Sequence, residues 1–590
     1  MKSTGFKLLA AIGIVAVILS GCGLKKMVKK YDTVKYEVTP QVLETHGGKI
    51  AVTVKGTFPE KYFSKKASIE FAPVLKYDKG TTPLKSMTIQ GEKVKGGTGT
   101  VIKKKSGGTF TFTDIITYNP DMNKSELTVD VKATQGKKTK ELGNTKLADG
   151  VIYTSERVQK EEDTYLAEHG YQKEVIVPKT GTLYFAKGIS TLDLITLPLN
   201  KDEANKTRLK AFTDFIKNGW KIKNVEITAW ASPEGEETRN QGLSDDRSKT
   251  AEKYLKEKIK DAMKEKAKAG KEKVDEKKIE ADIPVATLNA KGEDWDGFLQ
   301  SLGSSSIKEK NTILNVVNSQ SDPLKKEKEI ENMTVIYPEI EQLILPPLRR
   351  SVMIINYYEP KKTDQEIAKF ATTMPDSLKK EELLYAATLT QDLNTQLKIY
   401  ESSTRIYSTD WKGFNNAAYV CLKLGKVDEA ATYLEKANTL NPNKDMVINN
   451  LGVIASWKKE YDNAKSYYET AQGLGINEGF NLGIINIRKG EYATALTSFG
   501  NRTCTHNIAL AQLLSGNSPA AASTLKCTET KSAAVYYLLA VVGARSGSTA
   551  MIYENLPLAI DADPSYRDQA RDDREFLKYN TSAEFQNAIK

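Results

Sequence analysis

From Phe414 onward, small and large side chains return at a fixed spacing of 34 residues. Phe414, Ala417, Ala418, Gly425, Ala430, Leu434, Ala437 and Pro442 are answered one period on by Ile448, Leu451, Gly452, Lys459, Ala464, Tyr468, Ala471 and Ile476. The series runs on through Leu482, Gly483, Gly490, Ala495 and Phe499. It then degrades through Ile508, Ala509, Gly516, Ala521 and Leu525 to Ala540 and Gly547. Such a stretch cannot close around one core. Each unit buries its apolar face against the next, so the chain must stack into an all-helical solenoid. Small residues let the two helices of a unit approach, and large ones fill the gaps. An earlier unit, Leu383 to Tyr407, opens the array, which gives five or six helical hairpins over residues 378–590.

This period resembles the tetratricopeptide repeat family, and the resemblance implies a concave groove that holds an extended or helical peptide of a protein partner. Three cysteines fall in the array. Cys421 occupies a core position of the first clear repeat and reads as a buried small apolar residue. Cys504 precedes and Cys527 follows one hairpin. Its helices, Ile508 to Leu514 and Ala520 to Lys526, run antiparallel and bring the open ends together. A Cys504–Cys527 disulfide is therefore geometrically reasonable, provided the compartment is oxidising.

The other end of the chain speaks to the compartment. Lys2 and Lys7 precede an uninterrupted apolar run from Leu8 to Leu19, and Leu19-Ser20-Gly21-Cys22 follows. A basic start, an apolar stretch well short of the roughly 20 residues of a membrane span, and small residues before a cysteine form a signal peptide over residues 1–21. The final four residues resemble the lipobox of bacterial lipoproteins. That resemblance implies that Cys22 is acylated, with palmitate-type chains, and becomes the mature N-terminus. Several chains hold firmly to a bilayer, because each buried CH₂ contributes about 0.8 kcal/mol and one chain alone is marginal. Residues 22–30 read as a lipidated tether carrying Lys25, Lys26, Lys29 and Lys30. Surface-exported Bacteroidetes lipoproteins usually show an acidic stretch there, so the basic tether implies an outer-membrane lipoprotein whose body faces the periplasm. No second apolar span follows Lys30.

Residues 31–155 alternate apolar and polar over short runs such as Ile50-Ala51-Val52-Thr53-Val54 and Leu127-Thr128-Val129-Asp130-Val131, with Gly, Pro, Asn and Asp between them. Period-2 alternation with frequent turns predicts an antiparallel β-sandwich. No chemistry stands out in it, and it reads as a spacer or docking module.

Residues 156–360 carry a more specific signature. Val225, Ile227 and Ala229 form a strand that ends in Trp230-Ala231-Ser232-Pro233-Glu234-Gly235. After the turn come Asn240, Leu243, Ser244 and Arg247 on a helix. The N-x-x-L-S-x-x-R pattern resembles the C-terminal domain of the OmpA family, an α/β fold. Gly181 to Gly188 resembles that family's opening strand, and Leu348-Arg349-Arg350-Ser351-Val352-Met353-Ile354 its closing strand. In many members a loop aspartate and the motif arginine hold the charged ends of diaminopimelate in peptidoglycan, and Arg suits a carboxylate bidentately. By that resemblance Arg247, Asn240, Ser232 and Glu234 are the candidate peptidoglycan-binding residues. Ser232 stands at the aspartate position, and Glu234 or Glu236 could replace the missing charge. Residues 257–340 read as a helical insertion, beginning with the Lys/Glu-rich run Lys256 to Lys278, and 361–377 as a linker.

The chain has 590 residues, a net charge of +11 and three histidines. The length calls for several domains, and the charge is spread over Lys/Glu-rich stretches, as on a solvated surface rather than a nucleic-acid footprint. His46, His169 and His506 lie far apart, so neither a metal centre nor a Ser/His/Asp site is suggested. No nucleotide loop, paired-carboxylate cleft or nucleophile elbow is evident, and no cofactor is implied. The expectation is a non-enzymatic scaffold linking an envelope protein complex to peptidoglycan. The alternative is an accessory subunit of an outer-membrane protein assembly or type IX secretion complex that does not bind the wall.

Overall fold

The structure is a computed structural model describing residues 22–477 and 479–590; the expected signal peptide lies outside them. Two compact units form, one of residues 22–169 with 390–590 and the other of Gly170–Leu389. Among the described residues no helix is long and apolar enough to cross a membrane.

The first unit begins with β structure. Lys49–Phe58 alternates exposed and buried residues, as a strand with one face on a core must. It pairs antiparallel with Gly108–Thr117 on one side and with Lys35–Thr39 on the other. A second layer is built on Ser125–Gln135, which pairs antiparallel with Lys138–Ile152, Ser68–Phe71 and Pro73–Tyr77. Val42–His46 joins both layers, antiparallel to Lys49–Phe58 and parallel to Lys138–Ile152. Between the layers Phe71 meets Phe110 and Phe112, with ring centroids 5.0 and 5.5 Å apart. Gly56 is needed there, because a Cβ would fall 2.0 Å from the Phe110 ring.

Residues 22–30 do not hang free as a tether. Cys22–Lys29 is a helix that buries Leu24 and Met27 in the β core, and the Ser64 amide donates to Met27 Sδ at 3.4 Å. Two apolar residues three apart share one side of a helix turn, which is enough to dock it.

The same unit ends in the helical array. Trp411–Lys423 with Val427–Leu440, Asp445–Trp457 with Tyr461–Gly473, Gly479–Arg488 with Tyr492–Phe499, His506–Leu514 with Ser518–Cys527, and Ala533–Ser546 with Thr549–Ala562 form successive hairpins. Leu393–Ile406 precedes them. The 34-residue period has a packing cause. Gly452 lies under Tyr468 and Gly483 under Phe499, where a Cβ would come within 2.6 and 2.4 Å of the rings. The fourth hairpin is closed by a Cys504–Cys527 disulfide with Cα atoms 5.1 Å apart. Cys421 is a buried free thiol.

The second unit is a four-stranded sheet in the order Ile176–Tyr184, Arg350–Tyr358, Lys221–Ala231, Ala286–Glu293. The first two pairings are antiparallel and the last is parallel. Helices Glu203–Lys217 and Glu237–Ala269 bring Phe212, Ile216, Ala251 and Leu255 onto Val225, Ile227, Met353 and Ile355.

Several expected boundaries move. Residues 156–169 belong to the first unit, not to the α/β unit. The stretch 257–340 is only partly an insertion, because Ala286–Glu293 is a strand of the main sheet. Its place at the sheet edge leaves most of its residues half-exposed, so it lacks the apolar alternation that marks a strand with one buried face. Helices Trp295–Ser304, Lys310–Ser319, Pro323–Glu331 and Tyr337–Leu343 are the true insertion, with their own core of Phe298, Leu302, Ile313, Val317, Ile330 and Ile340. The expected linker 361–377 holds the helix Asp364–Thr373, started by a capping box of Thr363 and Glu366. The helical array starts later than 378, because helix Lys380–Ala386 is part of the second unit. Its Tyr385 hydroxyl bonds the Asp364 carboxylate at 3.0 Å, and its ring stacks on Tyr171.

Candidate functional site

In a stacked helical array the first helix of each hairpin lines the inner face, and whatever it displays there is the binding surface. Here the display is asparagine: Asn415 and Asn416, then Asn449 and Asn450, then Asn481, then Asn507, all buried. Buried carboxamides need partners. They find them in residues 159–167 of the same chain, which form neither helix nor strand.

The pairing is two-way at four places. Asn507 accepts from the Gln159 amide and donates to its carbonyl, both at 2.9 Å. Asn481 does the same for Asp163 at 2.7 and 3.0 Å, Asn450 for Tyr165 at 2.9 and 2.8 Å, and Asn416 for Ala167 at 2.8 and 3.0 Å. Asn449 and Asn415 add second donors to the Asp163 and Tyr165 carbonyls. The carboxamides also bond to one another from repeat to repeat, Asn481 to Asn449 at 2.8 Å and Asn450 to Asn415 at 3.1 Å. The segment thus crosses four hairpins in the reverse of their sequence order.

Side chains of the segment are held by charge. The Glu161 carboxylate accepts the His506 and Asn507 amides at 3.0 Å each, at the N-terminus of helix His506–Leu514, where unpaired N–H groups favour an anion. Burial nevertheless raises its pKa. Glu162 accepts from Ser456 Oγ at 2.7 Å and Trp457 Nε1 at 2.9 Å. Asp163 pairs with Arg502 at 2.5 Å, and the Arg502 guanidinium lies over the Phe480 ring. Upstream, Arg157 sits buried between the Tyr153 and Tyr537 rings and pairs with Asp573, while Thr154 donates to Glu575 at 2.6 Å. The groove expected to stand open for a partner is filled by the chain itself.

The second unit holds the other candidate residues. Strand Lys221–Ala231 delivers the turn at Ser232, and helix Glu237–Ala269 carries Asn240 and Arg247. Arg247 is fully buried. Its Nε donates to the Ile189 carbonyl at 3.0 Å, Nη1 to Trp230 at 2.9 Å and Nη2 to Ala186 at 3.0 Å. Burial, then the neighbouring Arg349, lowers it to about 10. Ser232 Oγ donates to Glu234 at 2.5 Å, and Glu234 is gripped by Arg349 through Nε at 2.9 Å and Nη2 at 2.8 Å. Lys187 stands 3.0 Å from the other Glu234 oxygen and 2.9 Å from Glu341. Asn240 donates to the Glu234 carbonyl and to Glu293 at 3.1 and 2.9 Å. Glu236 is exposed. From the insertion, Glu327 accepts the Gly235 amide. The structure therefore brings Ser232, Glu234 and Asn240 together, and it closes their charges internally through Arg349. Arg247 fixes the surrounding loops from beneath.

Sequence reasoning missed Arg349, placed only as part of a strand, and the asparagines. The latter left a signal, since Asn415-Asn416 and Asn449-Asn450 lie one repeat apart. Among the described residues no group of three or more His, Cys, Asp or Glu is placed to hold a metal ion.

Comparison with known proteins places the array. The tetratricopeptide repeat family model matches residues 412–444, which is the first hairpin, Trp411–Lys423 with Val427–Leu440, and the hairpins after it continue a tetratricopeptide-like array. No curated protein matches the chain. Among solved structures, a tetratricopeptide repeat protein from Parabacteroides merdae is 13% identical, covering 38% of this chain and 91% of its own, with a TM-score of 0.30. PilW, a type IV pilus biogenesis factor, is 16% identical over 38% of this chain and 99% of its own, with a TM-score of 0.28. PilF of Pseudomonas aeruginosa is 16% identical over 38% and 98%, with a TM-score of 0.26.

Proposed function

We propose that this chain is a lipid-anchored scaffold of the outer membrane, facing the periplasm, that binds proteins through its tetratricopeptide array within an envelope complex of the outer-membrane assembly or type IX secretion kind. Leu19-Ser20-Gly21-Cys22 supports the anchor. The helix Cys22–Lys29, seated in the β core, would hold the acylated end against the body of the protein rather than at the end of a free tether. The order of strands and helices in the second unit supports an OmpA-like fold there.

One observation carries the choice between wall-binding and wall-free scaffolds: Glu234 is locked by Arg349 and Lys187, and three Arg247 nitrogens are engaged by backbone carbonyls. A diaminopimelate end group would have to break the buried Glu234–Arg349 pair, at a cost of about 3–5 kcal/mol, or leave carbonyls without donors, at about 1–3 kcal/mol each. The second unit therefore serves as a docking module without grip on peptidoglycan. Two measurements test this reading. Metabolic labelling with a palmitate analogue should mark the wild type and not Cys22→Ala. In a pull-down on purified sacculi the protein should stay in the supernatant, and saturable sedimentation of the wild type that Glu234→Ala abolishes would restore the wall-binding role.

A further inference from the structure

Most of the contacts that hold residues 159–167 read backbone rather than side chain. Four asparagines each close a two-way pair on one residue's N–H and C=O, and two more add donors. Any extended chain offers the same groups in the same order, so this ladder is a general clamp and not a lock cut for one sequence. Selectivity comes from three adjoining subsites that each take a carboxylate: the amides of His506 and Asn507, the Ser456–Trp457 pair, and Arg502 on its Phe480 platform. Residues 160–166 are each exposed or half-buried, so the segment lies on the groove rather than inside a core. Between 158 and 169 it contains no Gly or Pro and four acidic residues.

We propose that the groove is a binding site for an extended, carboxylate-bearing segment of a partner protein, that residues 159–167 are its built-in occupant, and that the partner binds by replacing them. This rests on the reading of the array as a protein-binding module and names what it binds. Exchange of one extended chain for another conserves the asparagine bonds, which removes the main barrier to replacement. Tethering sets the threshold: a resident segment linked on both sides acts at an effective concentration on the order of millimolar, so a free peptide at micromolar concentration does not enter. The groove is closed by default. It opens to a partner held nearby at comparable effective concentration, or when the resident segment is drawn out.

The experiment uses the mature full-length protein and a fluorescent peptide of residues 156–170, read by anisotropy. In one variant residues 159–167 are replaced by a Gly/Ser repeat of equal length. The peptide is expected to bind this variant with a Kd in the micromolar range and the wild type at least 100-fold more weakly. Asn450→Ala with Asn481→Ala, added to the Gly/Ser variant, should weaken binding at least tenfold. A peptide with Glu161→Gln, Glu162→Gln and Asp163→Asn should weaken it comparably. No binding to a Gly/Ser variant that keeps native circular dichroism overturns the proposal, as does equal binding to the wild type. Should that variant fail to fold, hydrogen exchange of the wild type decides. Amides of Asp163, Tyr165 and Ala167 exchanging by local opening, faster than the helix cores of the array, support replacement. Exchange only with global unfolding overturns it. If the peptide behaves as expected but no envelope protein cross-links to the groove in native membranes, the scaffold reading fails while the clamp stands.

Discussion

The Asn450 carboxamide and the backbone of Tyr165 form a closed hydrogen-bonded ring, the N–H donating to Oδ1 at 2.9 Å and Nδ2 donating to the carbonyl at 2.8 Å, although the residues are 285 positions apart. A β ladder makes the same exchange between strands; here one partner is a side chain on a helix. The consequence is that a segment with no secondary structure of its own is held along the inner face of a helical array.

Removing that carboxamide takes the acceptor from the Tyr165 N–H and one of two donors from its carbonyl, which keeps Asn415. Asn450→Ala should lower stability by about 2–3 kcal/mol, since a buried group that loses its partner suffers its full desolvation penalty. Asn450→Asp should be at least as damaging, because its carboxylate keeps the acceptor but faces the Tyr165 carbonyl. Urea unfolding monitored by circular dichroism measures both, and a loss below 0.5 kcal/mol would mean that the ring contributes little.

The cysteines give a second test. Cys527→Ser should destabilise the protein by about 3 kcal/mol, the stabilisation expected of a disulfide closing a loop of this length. In the native protein Cys421 should not react with Ellman's reagent, because burial pushes its thiol up to about 11. In urea without reductant Cys421 should become reactive, while Cys504 and Cys527 should do so only after reduction.

His506 yields a pH dependence. Its side chain is buried in the first unit, and burial lowers its pKa from 6.5 to about 4. The folded state keeps it neutral while the unfolded state takes up a proton below pH 6.5. Its contribution is therefore complete above pH 6.5 and is lost progressively as pH falls toward 4, by about 3 kcal/mol in all. Glu161 and Glu575, whose pKa values are raised by burial, act in the opposite sense. The comparison that isolates the histidine is wild type against His506→Gln. The difference in unfolding free energy between them should shrink between pH 7 and pH 4, and a constant difference would exclude the effect.

How much of this was legible beforehand follows from what each contact uses. The 34-residue period is a matter of side-chain volume, Gly452 under Tyr468 and Gly483 under Phe499, and volume is written in the sequence. The occupied groove is a matter of backbone. Residues 159–167 carry no apolar rhythm, and nothing in Gln159-Lys160-Glu161-Glu162-Asp163 marks which amides will meet Asn507 and Asn481. Only the repeated Asn-Asn pairs, one period apart, announced that the inner face was polar. In the second unit the strand Lys221–Ala231 and the helix carrying Arg247 could be read from their patterns. The edge strand Ala286–Glu293 could not, because an edge position removes the alternation. Arg349 was visible as a residue but not as the partner of Glu234, since the two are brought together only by the pairing of Arg350–Tyr358 beside Lys221–Ala231.

That last pair supports a prediction that separates closure from function. The side chains of Glu234 and Arg349 are both nearly buried and two guanidinium nitrogens converge on one carboxylate oxygen, so neither can lose the other cheaply. Arg349→Ala should destabilise the second unit by about 3–5 kcal/mol, because it strands the Glu234 carboxylate beside Ser232 with only Lys187 to balance it. Glu234→Ala alone should cost a similar amount, since it leaves Arg349 charged and close to Arg247. The double variant Glu234→Leu with Arg349→Met, which replaces the pair by apolar volume, should recover most of the loss, as buried pairs are often matched by hydrophobic isosteres. A double-mutant cycle by thermal unfolding would read a large coupling energy. If instead each single change is mild and the effects simply add, the pair does not close the site, and the Ser232 loop is free to take a charged ligand from solution.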